Sequence, residues 1–213
     1  MDVAYRTEVG HVRSRNEDAL LARPERGVLA VADGLGGHPA GDVASLTALA
    51  SVDEAALSAG SSEDDLRAAA AAAHQAVLDA AAAEPGRTGM GTTLVLAAVS
   101  EDGALVLHVG DSRAYQLAAN GRLSAITEDH GMHGYLTQAL GLDREVAPDV
   151  ARVECPPRSR LLLCTDGLTN MVDDAGVAEL LGRGSAQEAC DSLVEAALDA
   201  GGVDNVTVVV AAF

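Results

Sequence analysis

Seven short segments, most of them dominated by Val, Leu and Ala, set the fold class of this chain: 28–32, 92–99, 105–109, 114–117, 123–126, 160–164 and 206–212. Most are bounded within a few residues by Gly, Asn or Asp. Apolar runs of this length between turn residues read as buried β-strands. Asn120-Gly121, between the fourth and fifth runs, is a strong signal for a tight hairpin. Helical periodicity is confined to two regions. The first holds segments 41–57 and 61–83. The second holds 176–181 and 185–200. In the longest helix, Ser61-Ser62-Glu63-Asp64-Asp65 is an acidic N-terminal start, and Leu66, Ala70, Ala73 and Val77 share one face. Pro85-Gly86 ends this helix pair. Hairpin-linked strands with segregated helices predict an α+β fold with antiparallel sheets.

The core must be made of small aliphatic side chains, because aromatic residues are 2% of the chain and Trp is absent. A chain of 213 residues buries enough surface to need no disulfide or structural metal. Cys155, Cys164 and Cys190 have no paired spacing and are read as buried free thiols in a reducing compartment. The net charge of −18 comes from 32 acids against 14 bases, all of them Arg. It argues against nucleic acid and anionic membranes as partners. Neither a signal peptide nor an apolar stretch of spanning length is seen, and no tail is read beyond Phe213, so a cytoplasmic location is expected.

The positions of the acids carry the chemistry. Asp33 follows the run 28–32 and opens Asp33-Gly34-Leu35-Gly36-Gly37-His38. Asp111 follows 105–109, Asp166 follows 160–164, and Asp204 precedes 206–212. Glu17 and Asp18 form a further pair. A lone Asp-Gly is ordinarily a turn. Several acids at strand ends make sense together if they converge on divalent cations, since packed carboxylates otherwise repel. Oxygen donors favour Mg²⁺, Mn²⁺ or Ca²⁺ over Zn²⁺.

Six segments taken in order resemble the motifs of the type 2C metal-dependent protein phosphatases, and are most similar to the bacterial serine/threonine branch. They are Gly10-His11-Val12-Arg13-Ser14-Arg15-Asn16-Glu17-Asp18, Val31-Ala32-Asp33-Gly34-Leu35-Gly36-Gly37-His38, Gly91-Thr92-Thr93, Val109-Gly110-Asp111-Ser112-Arg113-Ala114-Tyr115, Leu163-Cys164-Thr165-Asp166-Gly167-Leu168 and Gly202-Val203-Asp204-Asn205-Val206-Thr207. The resemblance implies a single catalytic domain over residues 1–213. Its architecture would be a central antiparallel β-sandwich flanked by helix pairs on both sides, in four layers α-β-β-α. It also implies two Mn²⁺ or Mg²⁺ ions and hydrolysis of phosphoserine and phosphothreonine in proteins, with a signalling role opposite a Ser/Thr kinase.

By the same resemblance, Asp33 would bridge the metals, the Gly34 carbonyl would bind one, and Asp166 and Asp204 the other. Glu17 and Asp18 would act through metal-bound water, and Asp111 would serve a weaker third ion. Arg13 matches the substrate-phosphate arginine, and His38 is the candidate proton donor. His11, His74, His108, His130 and His133 are read as structural or surface residues, and Asn205 and Thr207 as orienting the loop around Asp204.

The chain departs from the relatives after Asp129-His130. Only Gly131-Met132-His133-Gly134-Tyr135 separates His130 from Leu136, where bacterial members carry a longer flap. The expectation is a missing flap, a more exposed cleft and a weaker third metal site. Asn170, where some relatives have an acid, points the same way. The alternative to an enzyme is a non-catalytic phosphoprotein-binding module of the same fold; a calcium-binding structural protein leaves Arg13 unexplained.

Overall fold

The computed structural model describes residues 1–213 except 36–39, 102, 133–134 and 143–144; the side chains of residues 132 and 135 also fall outside the described set. Two five-stranded sheets face each other. One has the order β1(Asp2–Glu8), β12(Val206–Ala212), β11(Arg160–Cys164), β6(Arg113–Leu117), β7(Leu123–Ala125). The other runs β10(Asp149–Val153), β5(Gly103–Val109), β4(Leu94–Ser100), β3(Val28–Asp33), β2(Asp18–Arg23). Every pairing in both sheets is antiparallel.

Alternation along the strands divides the core into three layers. Leu29, Val31, Val95, Ala97 and Val106 of one sheet meet Leu161, Leu163, Val209 and Ala211 of the other. The opposite face of the second sheet, through Val28, Ala30, Leu96 and Leu107, receives α1(Gly41–Glu54) and α2(Glu63–Ala83). The outer face of the first sheet, through Leu162, Val208 and Val210, receives α4(Asp174–Leu181) and α5(Ala186–Asp199), with Leu168 of the one-turn α3(Asp166–Thr169) beside them. The four-layer α-β-β-α arrangement is therefore the one expected. Small residues let the layers approach. Ala69, Ala70 and Ala73 of α2 are all buried beside Leu66 and Val77.

Local chemistry explains the boundaries. Ser62 and Asp65 form a reciprocal capping box at the start of α2, and Ser185 and Glu188 do the same for α5. The β6–β7 hairpin turns at Asn120-Gly121, with Gly121 at φ 82°. All three cysteines are free and buried. Within the two five-stranded sheets, β1, β2 and β10 are the strands that the sequence pattern does not predict. All three lie at sheet edges, where charges interrupt the apolar run in β1 and β10 and cut it to four residues in β2.

Between His130 and Thr137 the described residues form the two-residue strands β8(Gly131–Met132) and β9(Tyr135–Leu136). No flap-like extension is present among the described residues, in line with the short spacing.

Candidate metal centre

The inward-facing stripe of each central strand changes character at one rim of the sandwich. On β3 the alternation Leu29, Val31 ends at Asp33. On β2 the same face ends at Asp18, the direct register partner of Asp33. The stripe of β4 leads back to Thr93, that of β11 on to Thr165, and that of β12 back to Thr207 and Asn205. Five strands thus deliver polar side chains to one end of an apolar wall.

Asp18 forms the floor, with 9% of its surface exposed. Its Oδ2 accepts hydrogen bonds from the Thr165 hydroxyl at 2.8 Å and the Thr207 hydroxyl at 2.7 Å. Its Oδ1 is buried without a partner. Asp33 is fixed through its backbone. Its N–H donates to Thr93 Oγ1 at 2.9 Å, and its carbonyl accepts from Thr93 N–H at 2.9 Å and Thr92 Oγ1 at 2.8 Å. Thr93 Oγ1 also meets the Ser112 hydroxyl at 2.7 Å, which ties the Asp111 turn to the same post.

Asp166 opens α3. Its Oδ2 accepts from Asn170 Nδ2 at 3.0 Å, and its Oδ1 is buried and unpartnered. Asp204 Oδ1 accepts from Asn205 N–H at 2.8 Å, and its Oδ2 pairs with Arg13 at 2.7 Å. Asn205 joins two loops: its Oδ1 accepts from Glu17 N–H at 2.8 Å, and its Nδ2 donates to the carbonyls of Val9 and Arg15. The Glu17 carbonyl accepts from Gly34 N–H at 3.1 Å and from the Ser45 hydroxyl at 2.7 Å. Gly34 admits no side chain, because an added Cβ would strike the carbonyl oxygens of Gly41 and Glu17.

Burial, then the charges of Asp18, Asp166 and Asp111, hold the Asp33 carboxyl well above its usual range. Asp18 is pushed up to about 7, chiefly by burial and against the two threonine hydroxyls, with Asp166 and Asp204 adding repulsion. Asp111 rises to about 6 through burial and the charge of Asp166. Asp166 also rises, through burial and the charge of Asp204. Four carboxyls that raise one another's proton affinity, two with an unpartnered buried oxygen, form a donor set suited to hard divalent cations. The residues fit such ions, which would restore these groups to the ionised form.

Asp18, Asp33, Asp111, Asp166 and Asp204 are therefore brought close enough to feel one another's charge, and the half-buried Glu17 stands beside them. Arg13 is 39% exposed at the mouth, bonded to Asp204. His38 lies outside the described residues. Thr207 reaches Asp18 rather than the Asp204 loop it was expected to orient. The sequence reading did not single out Thr165 or Ser112 for a role. The signal was present in the strand parity, since Thr165 stands two residues beyond Leu163 on the inward stripe.

A double-layered sandwich with a carboxylate cluster at one rim defines a divalent-cation centre on a β-sandwich scaffold. Residues 9–199 match the sequence pattern of the family described as protein phosphatase 2C. The chain belongs to that family. It is 34% identical to the serine/threonine phosphatase stp of Listeria welshimeri, over 98% of this chain and 94% of that one. It is 37% identical to the serine/threonine protein phosphatase PstP of Mycobacterium tuberculosis, over 98% of this chain and 44% of PstP. The crystal structure of the PstP catalytic domain with two manganese ions superposes with a TM-score of 0.88 at 36% identity, covering 98% and 96% of the two chains. A bacterial serine phosphatase superposes with a TM-score of 0.91 at 30% identity, covering 100% and 97%.

Proposed function

We propose that residues 1–213 act as one catalytic domain, a metal-dependent protein serine/threonine phosphatase with a dinuclear Mn²⁺ or Mg²⁺ centre. The observation that carries this reading is the convergence of Asp18, Asp33, Asp111, Asp166 and Asp204 with unpartnered, mutually repelling oxygens. When bound, the two ions act as Lewis acids that activate water and neutralise charge on the phosphoryl group.

The chain's own residues do the rest. Asp33, whose carboxyl feels the charges of Asp18 and Asp166, and the Gly34 carbonyl would both donate to the ions. Asp166, at the start of α3, and Asp204, just before β12, would hold one ion. Asp18 and Glu17 would orient water around the ions, and Asp111 would serve a weaker third position. Thr165 and Thr207 keep the Asp18 carboxylate from rotating. Arg13 presents its planar fork at the mouth, where it holds the oxygen pair of a dianionic phosphate ester. Its bond to Asp204 aims it and leaves other N–H groups free for that contact. His38 is the proton donor to the leaving serine or threonine oxygen.

The substrates are phosphorylated proteins, and the cellular role is to oppose a Ser/Thr kinase. Among the described residues no helix is long and apolar enough to cross a membrane. The short connection at 131–136 leaves the cleft open and relaxes peptide selectivity. The non-catalytic alternative would be expected to have lost acids from the centre, and all of them are present. Hydrolysis of phosphoserine and phosphothreonine peptides with Mn²⁺ and with Mg²⁺ tests the reading. Failure of both ions to support turnover of any such peptide, or of p-nitrophenyl phosphate, overturns it.

A further inference from the structure

His108, His130 and Asp149 form a second constellation with different chemistry. One donor atom from each lies within 4.8 Å of the other two. His108 sits near the end of β5, and Asp149 is its register partner on β10. His130 is brought to them by its own backbone, whose N–H donates to the Gly110 carbonyl at 2.7 Å. The two rings lie 4.4 Å apart between centroids.

The hydrogen bonds assign the protons. His108 Nε2 lies 2.8 Å from the Gly110 carbonyl, which can only accept, so Nε2 carries the hydrogen. His108 Nδ1 is then a bare lone pair. It is buried without a partner in a residue that is 1% exposed. An unsatisfied buried acceptor is costly, and a cation would relieve that cost. His130 Nε2 faces Asp149 Oδ2 at 3.1 Å, and Asp149 is 75% exposed, which opens a path from solvent. The neighbouring Asp129 is committed to Arg113 through two bonds of 2.7 Å.

We propose that His108, His130 and Asp149 bind one transition-metal ion of the zinc class, at a site separate from the carboxylate centre. Two imidazoles and one carboxylate, with a fourth position left to water, are a donor set that Zn²⁺ accepts in tetrahedral geometry. The all-oxygen centre suits Mn²⁺ and Mg²⁺, so the two sites sort ions by donor type. Coordination through His130 Nε2 leaves that ring neutral, with its proton moved to Nδ1. There it opposes the Gly110 N–H, which now donates to Nδ1 over a long 3.3 Å. Occupancy is thereby felt at Gly110, the residue before Asp111. The site stands on its own geometry and does not depend on the phosphatase reading.

Cobalt is the probe. The full chain, stripped of metal and then saturated with Mg²⁺ to fill the oxygen centre, is titrated with Co²⁺ while the visible spectrum is recorded. The expected result is one equivalent giving the strong absorption of four-coordinate Co²⁺ with nitrogen ligands, displaced by one equivalent of Zn²⁺. Asp149→Ala, at an exposed position, and His130→Ala weaken Co²⁺ binding at least about 100-fold, beyond the effect of losing an outer-shell partner. Asp166→Asn leaves the band unchanged. A weak six-coordinate spectrum overturns the proposal, as does a band that survives both His130→Ala and Asp149→Ala or disappears in Asp166→Asn.

Discussion

Replacing Asp18 with Asn should make the metal-free protein more stable while blunting its response to Mn²⁺. Asp18 is pushed from the usual 3.8 to about 7. A gap of roughly 3 units corresponds to about 4 kcal/mol between its protonated and ionised forms at high pH. The shift is chiefly the burial of the charge, with repulsion from Asp166 and Asp204 added, and Asn carries no charge to bury; because the neighbouring carboxyls share the titration, one substitution relieves roughly half, about 2 kcal/mol. Asn keeps the volume and an oxygen for the Thr165 and Thr207 hydroxyls. For a chain of this size about 2 kcal/mol raises the melting temperature by about 4–8 °C.

The pH dependence has a definite sign. The folded carboxyl holds its proton more tightly than the unfolded one. Metal-free parent protein therefore gains stability as pH falls from 8 through about 7 towards 4, and loses it as pH rises. Asp111, raised to about 6, adds to the same trend. Asp18→Asn flattens that slope. Mn²⁺ should raise the parent's melting temperature more at pH 8 than at pH 5.5, because protons compete with the ion. Differential scanning fluorimetry in chelator and in Mn²⁺, from pH 5.5 to 8.5, measures all of this. A metal-free Asp18→Asn protein that melts at or below the parent at pH 8 would refute the reasoning, as would one that keeps the full Mn²⁺ shift.

Asp166→Asn should nearly abolish turnover of a phosphopeptide at saturating Mn²⁺; an unchanged rate would remove Asp166 from the metal set. Equilibrium dialysis should find two tightly held Mn²⁺ ions per chain, since the flap is missing and Asn170 stands beside Asp166; three tight ions would contradict the open-cleft account. Arg13→Ala should lower kcat/KM for phosphopeptides by about 10–100-fold, the worth of a charged hydrogen-bond contact. Its melting temperature should change little, because the exposed Arg13–Asp204 pair contributes at most about 1 kcal/mol. Arg13→Lys should recover only part of the loss. Gly34→Ala should lower the melting temperature by several degrees, since its Cβ meets two carbonyl oxygens; a fully stable Gly34→Ala protein would contradict the packing around Asp33.

Much of this molecule was legible in one dimension. Strands buried on both faces, such as β3, β4, β11 and β12, announce themselves as runs dominated by Val, Leu and Ala, because a buried polar group there needs a partner, as Thr207 has in Asp18. The acids at their ends stood out for the same reason, since Asp33 and Asp166 interrupt an otherwise apolar text. Edge strands without a hairpin turn to mark them, as Asn120-Gly121 marks β7, do not announce themselves. The charged Asp2–Glu8 and Asp149–Val153 segments need a neighbour before they become strands, and that neighbour lies far along the chain. Tertiary structure alone decided that Asp18 sits opposite Asp33 and receives hydroxyls from Thr165 and Thr207, residues some 150 and 190 positions away. It also decided that His108 meets His130 and Asp149. Local sequence governs which residues can end a strand. Which strand ends share a rim depends on sheet order, and sheet order is settled by packing between distant parts of the chain.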